Sequence, residues 1–423
     1  MLYKRNHYAT GSTKCFNIVI LIGPIMLKGL FKAVFIATIW FVTFVNNVYS
    51  QESLDNTQVW SQRMVESEMV RFPEAWQIDW DETPQWDYVH GLNLLAISEV
   101  YKETKDERYL AYVEGYYDLL VNEDGTIKTY DAEKYNIDMI NPGKVLFFLY
   151  EVTGNVKYKK AADTLRRQLI DHPRTPQGGF WHKKRYPNQM WLDGLYMGAP
   201  FYAEYIVRYG DMKELDDVFL QFELIEEHLY DTTTNLPLHG WDASKQQQWA
   251  NKETGLSQHH WSRSLGWYAM AMIDVLAVVP KEHPKTQWLN ERFQRFIDAT
   301  LTYQHSSGTW YQVTDLPQRD KNYLEASGTA MITYAIAKAV SLKFLPAHYK
   351  HYAEKGFAGI LDQMITVDPQ SNVISLEKVC AVAGLGGTPY RDGSFDYYMS
   401  EPIRANDAKG VGPFILAALY LGK

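Results

Sequence analysis

A chain of 423 residues with 46% hydrophobic content is long enough to bury a sizeable core. Its formal net charge of −8 excludes nucleic acid or an anionic membrane surface as the main partner, because both would repel it at long range. Two cysteines, Cys15 and Cys380, exclude a disulfide framework, and Cys380 reads as buried filler with no nucleophile motif around it. The 13 Trp and 30 Tyr exceed what packing alone asks for and allow stacking surfaces as well.

The N-terminal region, residues 1–50, reads as an export signal with its true start at Met26. A short basic stretch with Lys28 and Lys32 precedes an apolar run over 33–45, and Val48 and Ser50 suit cleavage before Gln51. The run is short for a bilayer span, so no stable membrane insertion is expected after cleavage, and the mature chain is expected in the periplasm or secreted.

From residue 51 onward the apolar spacing predicts helices of two kinds. In chain order they cover 57–72, 88–104, 107–120, 142–153, 156–171, 193–209, 212–230, 261–279, 285–303, 325–342, 346–364 and 411–421. The segment 155–171 places Tyr158, Ala161, Ala162, Leu165 and Leu169 on one face with Lys and Arg elsewhere, the stripe of an outer helix. By contrast 194–205, 266–279, 328–340 and 410–421 are apolar nearly all round and rich in Gly and Ala, so they must be enclosed. Six enclosed and six half-exposed helices, alternating, predict an all-α fold: a six-hairpin (α/α)6 barrel formed as one catalytic domain over 51–423. No Pro, Gly or Ser-rich linker divides it.

Connections after enclosed helices are short, such as Gly154-Asn155 and Gly210-Asp211. Those before enclosed helices are long, at 73–87, 121–141, 172–192, 231–260, 305–324 and 365–409. Alternating hairpins therefore gather every long loop at one end of the ring, the predicted active face, toward which inner-helix N-termini point partial positive charge.

The chemistry-bearing residues fall in those loops. Asp193, in Met190-Trp191-Leu192-Asp193-Gly194-Leu195-Tyr196-Met197, is either a helix N-cap or a site carboxylate. At a helix start its charged form is favoured, so acid work would need burial and a second carboxylate nearby, for which Asp138 is the candidate. Asp138 is not required as a cap, because Asn141 followed by Pro142 supplies one; it is a polar loop residue or a site carboxylate. Arg263 can fork onto a substrate carboxylate. Trp261 and Trp267 lie six apart and need not share a helix face. The histidines at 239, 259 and 260 lack metal-site spacing, and no phosphate loop or Gly-x-Ser-x-Gly elbow occurs, so no metal or cofactor is expected. The Gly384-Leu385-Gly386-Gly387 stretch reads as a turn.

Four motifs in order, Asp138-Met139-Ile140-Asn141-Pro142-Gly143, Met190-Trp191-Leu192-Asp193-Gly194-Leu195-Tyr196-Met197, Trp261-Ser262-Arg263-Ser264-Leu265-Gly266-Trp267 and Asp396-Tyr397-Tyr398-Met399-Ser400-Glu401, resemble the unsaturated rhamnogalacturonyl hydrolases, glycoside hydrolase family 105. The resemblance spans residues 55–423. It implies removal of a 4,5-unsaturated uronic acid from the non-reducing end of uronyl-rhamnose oligosaccharides left by a lyase, from rhamnogalacturonan or ulvan, through hydration of the C4=C5 double bond. It implies Asp193 as proton donor and Asp138 as its partner carboxylate, with Tyr88, Lys183, His239, Trp261, Arg263 and Trp267 binding substrate. Ser264-Leu265 departs from the small or amide residues of the family motif, which bears on substrate preference.

Two neighbouring readings share the fold. One is an unsaturated glucuronyl hydrolase acting on glycosaminoglycan fragments; the other is an ordinary inverting glycosidase with two carboxylates spaced for a water. A non-catalytic sugar-binding protein is a third. The expected partner in the leading reading is an unsaturated oligosaccharide, and the oligomeric state is left open.

Overall fold

The computed structural model describes residues 57–423, and the export signal expected over residues 1–50, with Met26 and Cys15, lies outside the described residues. Its main helices are α1 (Thr57–Arg71), α2 (Tyr88–Thr104), α3 (Glu107–Leu120), α4 (Gly143–Thr153), α5 (Val156–Asp171), α6 (Leu192–Tyr209), α7 (Leu215–His228), α8 (Ser262–Leu276), α9 (Pro284–Leu301), α10 (Ala326–Ser341), α11 (Lys350–Gln363), the short α12 (Phe395–Ser400) and α13 (Ala408–Leu421). Patterning decides where each one sits. Every residue of α8 is buried, whereas α5 buries one face built on Tyr158, Ala161, Ala162, Leu165 and Leu169.

Contacts run from α2 to α4, α6, α8, α10 and α13 in turn, and α13 packs back onto α2, so six inner helices close a ring. The outer helices α1, α3, α5, α7, α9 and α11 lie against α13, α2, α4, α6, α8 and α10 respectively. This is the expected six-hairpin barrel. Close approach within the ring depends on small residues: a Cβ at Gly266 would come within 2.6 Å of the Met331 Cβ, where α8 meets α10. No helix among the described residues is long and apolar enough to cross a membrane.

Short antiparallel ladders tie the long loops together. Strand β1 (Gln189–Trp191) pairs with β2 (Gly240–Asp242) in the register Gln189↔Asp242, Met190↔Trp241, Trp191↔Gly240. Strand β3 (Val379–Cys380) pairs with β4 (Ile403–Arg404). The first ladder joins the loop before α6 to the loop before α8, and the second folds the long loop before α13 onto itself.

Three local expectations differ from the structure. Trp191, extended at φ −120° and ψ 150°, occupies the N-cap position of α6, and Asp193 sits inside the first turn. Asn141 does not cap α4: its side chain donates to the Tyr88 carbonyl at 2.8 Å, and the chain enters α4 directly from a 3-10 turn at Ile137–Ile140. The helix expected over 212–230 begins as a separate 3-10 turn at Met212–Glu214 and ends at His228, with Tyr230 already in a short ladder.

Candidate active site

Asp193 is buried to 9% exposure with its carboxylate free of any capping role. The β1–β2 ladder sets its neighbour: the Leu192 amide donates to the His239 carbonyl at 3.1 Å, and His239 Nε2 lies 3.3 Å from Asp193 Oδ2. His239 itself is fully buried, and its Nδ1 lies 2.7 Å from the Tyr398 hydroxyl on α12. The ring is held by Trp191 and Trp261, with centroids at 5.6 and 4.9 Å. Among the described residues the Tyr398 hydroxyl has no other hydrogen-bond partner; in the tautomer in which it donates to Nδ1, the ring hydrogen falls on Nε2, the nitrogen nearer Asp193.

Asp138 lies in the 3-10 turn before α4, where the Asn136 side chain accepts from its amide at 3.2 Å. Lys183 Nζ is 2.5 Å from its Oδ2 and His182 Nε2 is 3.3 Å from its Oδ1. Burial pushes the Asp138 carboxyl up, but the Lys183 ammonium, with Arg185 beyond it, outweighs burial and holds the group below the usual carboxylate range, so it is ionised at neutral pH. Burial lowers His182 to about 4, leaving a neutral ring that stacks on Trp191 at 4.3 Å. An isolated bridge between Asn136 and Lys183 fastens the two loops that carry these groups.

Both carboxylates line a cavity of about 200 Å³ at the long-loop end of the ring, together with Tyr88, Trp261, Arg263 and Trp267. Of the two indoles that line it, Trp267 is stacked on Tyr196 at 4.7 Å, and the Trp261 N–H donates to Gln312 at 3.0 Å. Tyr88 opens α2, whose start is capped by Asp87 through the Val89 amide at 3.0 Å. Among the described residues no three His, Cys, Asp or Glu side chains converge as a metal site requires.

Residues 60–421 match the model of Glycosyl Hydrolase Family 88. A solved structure of a glycoside hydrolase from family 105 of C. acetobutylicum ATCC 824 superposes with a TM-score of 0.82 at 45% identity, over 86% of this chain and 99% of that one. The chain belongs to the family 88/105 glycoside hydrolases. The unsaturated rhamnogalacturonyl hydrolase YesR of Bacillus subtilis (strain 168) is 30% identical over 287 residues, 66% of this chain and 76% of its own length. The unsaturated glucuronyl hydrolase of Bacillus sp. GL1 shares the fold, with a TM-score of 0.63 at 12% identity over 88% of this chain and 97% of that one.

Within this family 88/105 barrel, the residues singled out in the sequence do not all stand in the same relation to the cavity. Asp138, Asp193, Tyr88, Lys183, Trp261, Arg263 and Trp267 line it. His239 stands behind Asp193, buried, so it reaches the cavity through that carboxylate. Lys183 is committed to Asp138. Arg263 is 1% exposed, and its fork is already in use: Nε donates to Ser327 at 2.8 Å, Nη1 to the Ala381 carbonyl at 3.4 Å and Nη2 to the Cys380 carbonyl. It therefore fastens the loop before α13 to the barrel as well as facing the cavity. Cys380 is buried, its thiol pushed up to about 11 by burial, in keeping with an inert filler.

Among the residues at the site that carried no role in the sequence reading are His182, Arg185, Tyr398 and Arg391. The first two belong to the basic and aromatic run 181–186, and Tyr398 to the last of the four motifs. Arg391 comes from beyond the Gly-rich turn, its Nη2 donating to the Tyr186 hydroxyl at 2.8 Å. No local pattern marked it.

Proposed function

We propose that this protein removes a 4,5-unsaturated uronic acid from the non-reducing end of lyase-generated uronyl-rhamnose oligosaccharides, from rhamnogalacturonan or ulvan, by hydrating the C4=C5 double bond. The observation that carries the reading is Asp193: a buried carboxyl in the cavity wall, backed by the His239 ring, with an ionised second carboxylate lining the same cavity.

In the proposed reaction the acid form of Asp193 gives its proton to C4, and positive charge develops at C5 and the ring oxygen. The Asp193 carboxylate left behind has His239 Nε2 3.3 Å from its Oδ2, and a ring N–H there stabilises the negative charge as it appears. Water adds at C5 and its proton returns to Asp193, giving a hemiketal. The ring then opens to a C5 ketone, and the exposed C1 hemiacetal releases the leaving sugar as an alcohol and becomes an aldehyde. One water is consumed and Asp193 ends protonated. Asp138, fixed as an anion by Lys183, supports the positive charge at C5 and orients the water. The aromatic walls at Trp261 and Trp267 offer stacking faces for the sugar.

The reading includes location. The basic and apolar run at 28–45 serves as an export signal, so the substrate is met in the periplasm or outside the cell.

The ultraviolet absorbance of the conjugated double bond in unsaturated disaccharides tests the proposal. Uronyl-rhamnose disaccharide should lose its signal with the wild type and keep it with Asp193→Asn. Faster turnover of a uronyl-hexosamine disaccharide would move the assignment to the glucuronyl class. Equal hydrolysis of a saturated uronide would replace hydration with ordinary inversion.

A further inference from the structure

Beside the cleft opens a second cavity of about 500 Å³, lined by Glu133, Lys134, Asn136, Lys183, Lys184 and Arg185. Lys183 and Arg185 line both spaces, so the two adjoin. Four of the six lining side chains are cationic and one is anionic, in a chain whose formal charge is −8. Such a local reversal of sign focuses potential in the groove.

The cations are only partly neutralised by the protein. Lys183 is held by Asp138. Lys134 has Asp131 at 3.8 Å, in an exposed pair that is worth little. Lys184 Nζ donates to the Glu133 carbonyl at 3.1 Å, and no carboxylate lies within 4 Å of it among the described residues. Arg185 likewise meets no carboxylate within that distance among the described residues; its guanidinium lies over the Tyr186 ring at 4.9 Å. The backbone beneath them is fixed. The Tyr186 amide donates to the Lys183 carbonyl at 2.8 Å and the Lys184 amide to the Lys134 carbonyl at 3.3 Å, so the two loops hold their cations side by side. A neutral sugar offers such a row hydroxyl acceptors but no opposite charge.

We infer that this groove receives the leaving sugar and holds an anionic substituent on it, either a sulfate ester or the carboxylate of a further uronic acid. The inference rests on the uronyl hydrolase reading above, since it is that reaction which defines a leaving sugar. Sulfate and carboxylate share the chemistry that matters here, a compact anion with oxygens in reach of Lys134 and Lys184, and with Arg185 able to fork onto either. The effect should fall on substrate binding and encounter, and weaken with salt, because the lysines are exposed.

The test compares wild type with a Lys134→Gln/Lys184→Gln double variant on three unsaturated substrates: a disaccharide with a neutral leaving sugar, the same disaccharide sulfated on that sugar, and a tetrasaccharide that continues with a uronic acid. The wild type should prefer at least one anionic substrate by about ten-fold in kcat/KM at low salt, with the preference shrinking at high salt. The double variant should lose that preference through KM while turning over the neutral disaccharide as the wild type does. Whichever anionic substrate shows the effect identifies the source of the anion. Equal wild-type rates on all three, or equal losses in the variant on neutral and anionic substrates, would overturn the groove assignment while the neutral disaccharide still reports the hydrolase. Failure of the wild type on every unsaturated substrate would overturn the hydrolase reading and this inference with it.

Discussion

Replacing Tyr398 with Phe removes one oxygen and keeps the ring that stacks near Trp261 at 6.3 Å and packs beside His239. The hydroxyl lies 2.7 Å from His239 Nδ1, and by donating there it selects the tautomer with its hydrogen on Nε2, 3.3 Å from Asp193. Without it the buried Nδ1 loses its partner, which costs about 1–3 kcal/mol. Nothing at Nδ1 then selects the tautomer, so the ring can present a bare Nε2 lone pair to the Asp193 carboxylate formed in the transition state. Removing one donor aimed at developing negative charge costs about 3–4 kcal/mol in a water-excluded site. The 3.3 Å contact is longer than an ideal one, so the expected loss is smaller, about 2 kcal/mol, or about thirty-fold in kcat. Initial rates of absorbance loss measure it, with a thermal melt as control. KM should stay within about two-fold, because Tyr398 is not among the residues that line the cavity. A kcat near that of the wild type, or a loss confined to KM, would rule out His239 as the group that stabilises the Asp193 anion.

Asp138→Asn should lower kcat by about 100-fold and also lower the melting temperature, since Lys183 loses the carboxylate 2.5 Å away; rates and melts on the same preparation check both. Gly266→Ala should destabilise the barrel by about 1–3 kcal/mol in denaturant unfolding, because the new Cβ would stand 2.6 Å from the Met331 Cβ. Lys144, buried over the Tyr196 ring at 3.5 Å with no hydrogen-bond partner for its amine, is lowered by burial from 10.5 to about 7. Between those values the unfolded chain holds a proton that the folded chain does not, so stability rises with pH across that window and the penalty is complete below pH 7. Lys144→Met should therefore stabilise the protein by about 2 kcal/mol at pH 7, after the lost cation–π contact is counted, and by much less near pH 10; unfolding curves at the two pH values read the difference.

The ring was legible because burial on all sides leaves a mark in consecutive residues: Ser262–Leu276 is enclosed throughout, and its sequence is apolar around almost the whole circumference. Loop lengths then placed the active face, since alternating hairpins leave no choice of end. Capping was less legible. Asp193 has the chemistry of an N-cap, yet the β1–β2 ladder holds Trp191 extended and starts the helix earlier. Asn141 was drawn away by the Tyr88 carbonyl, which a window along the chain does not contain. The same limit hid how the site is supported. Tyr398 meets His239 across 159 positions and Arg263 meets the Cys380 carbonyl across 117, contacts set only once the barrel has closed.

Proton nuclear magnetic resonance of the reaction in deuterated water asks whether the double bond is itself the reacting group. With Asp193 as the acid that protonates C4, the alkenyl signal should vanish at the rate at which the leaving sugar appears, one deuterium should enter C4 with a single stereochemistry, and Asp193→Asn should abolish both changes. Release of the leaving sugar while the alkenyl signal persists would show attack at the anomeric carbon instead, and would remove Asp193 from the role given to it here.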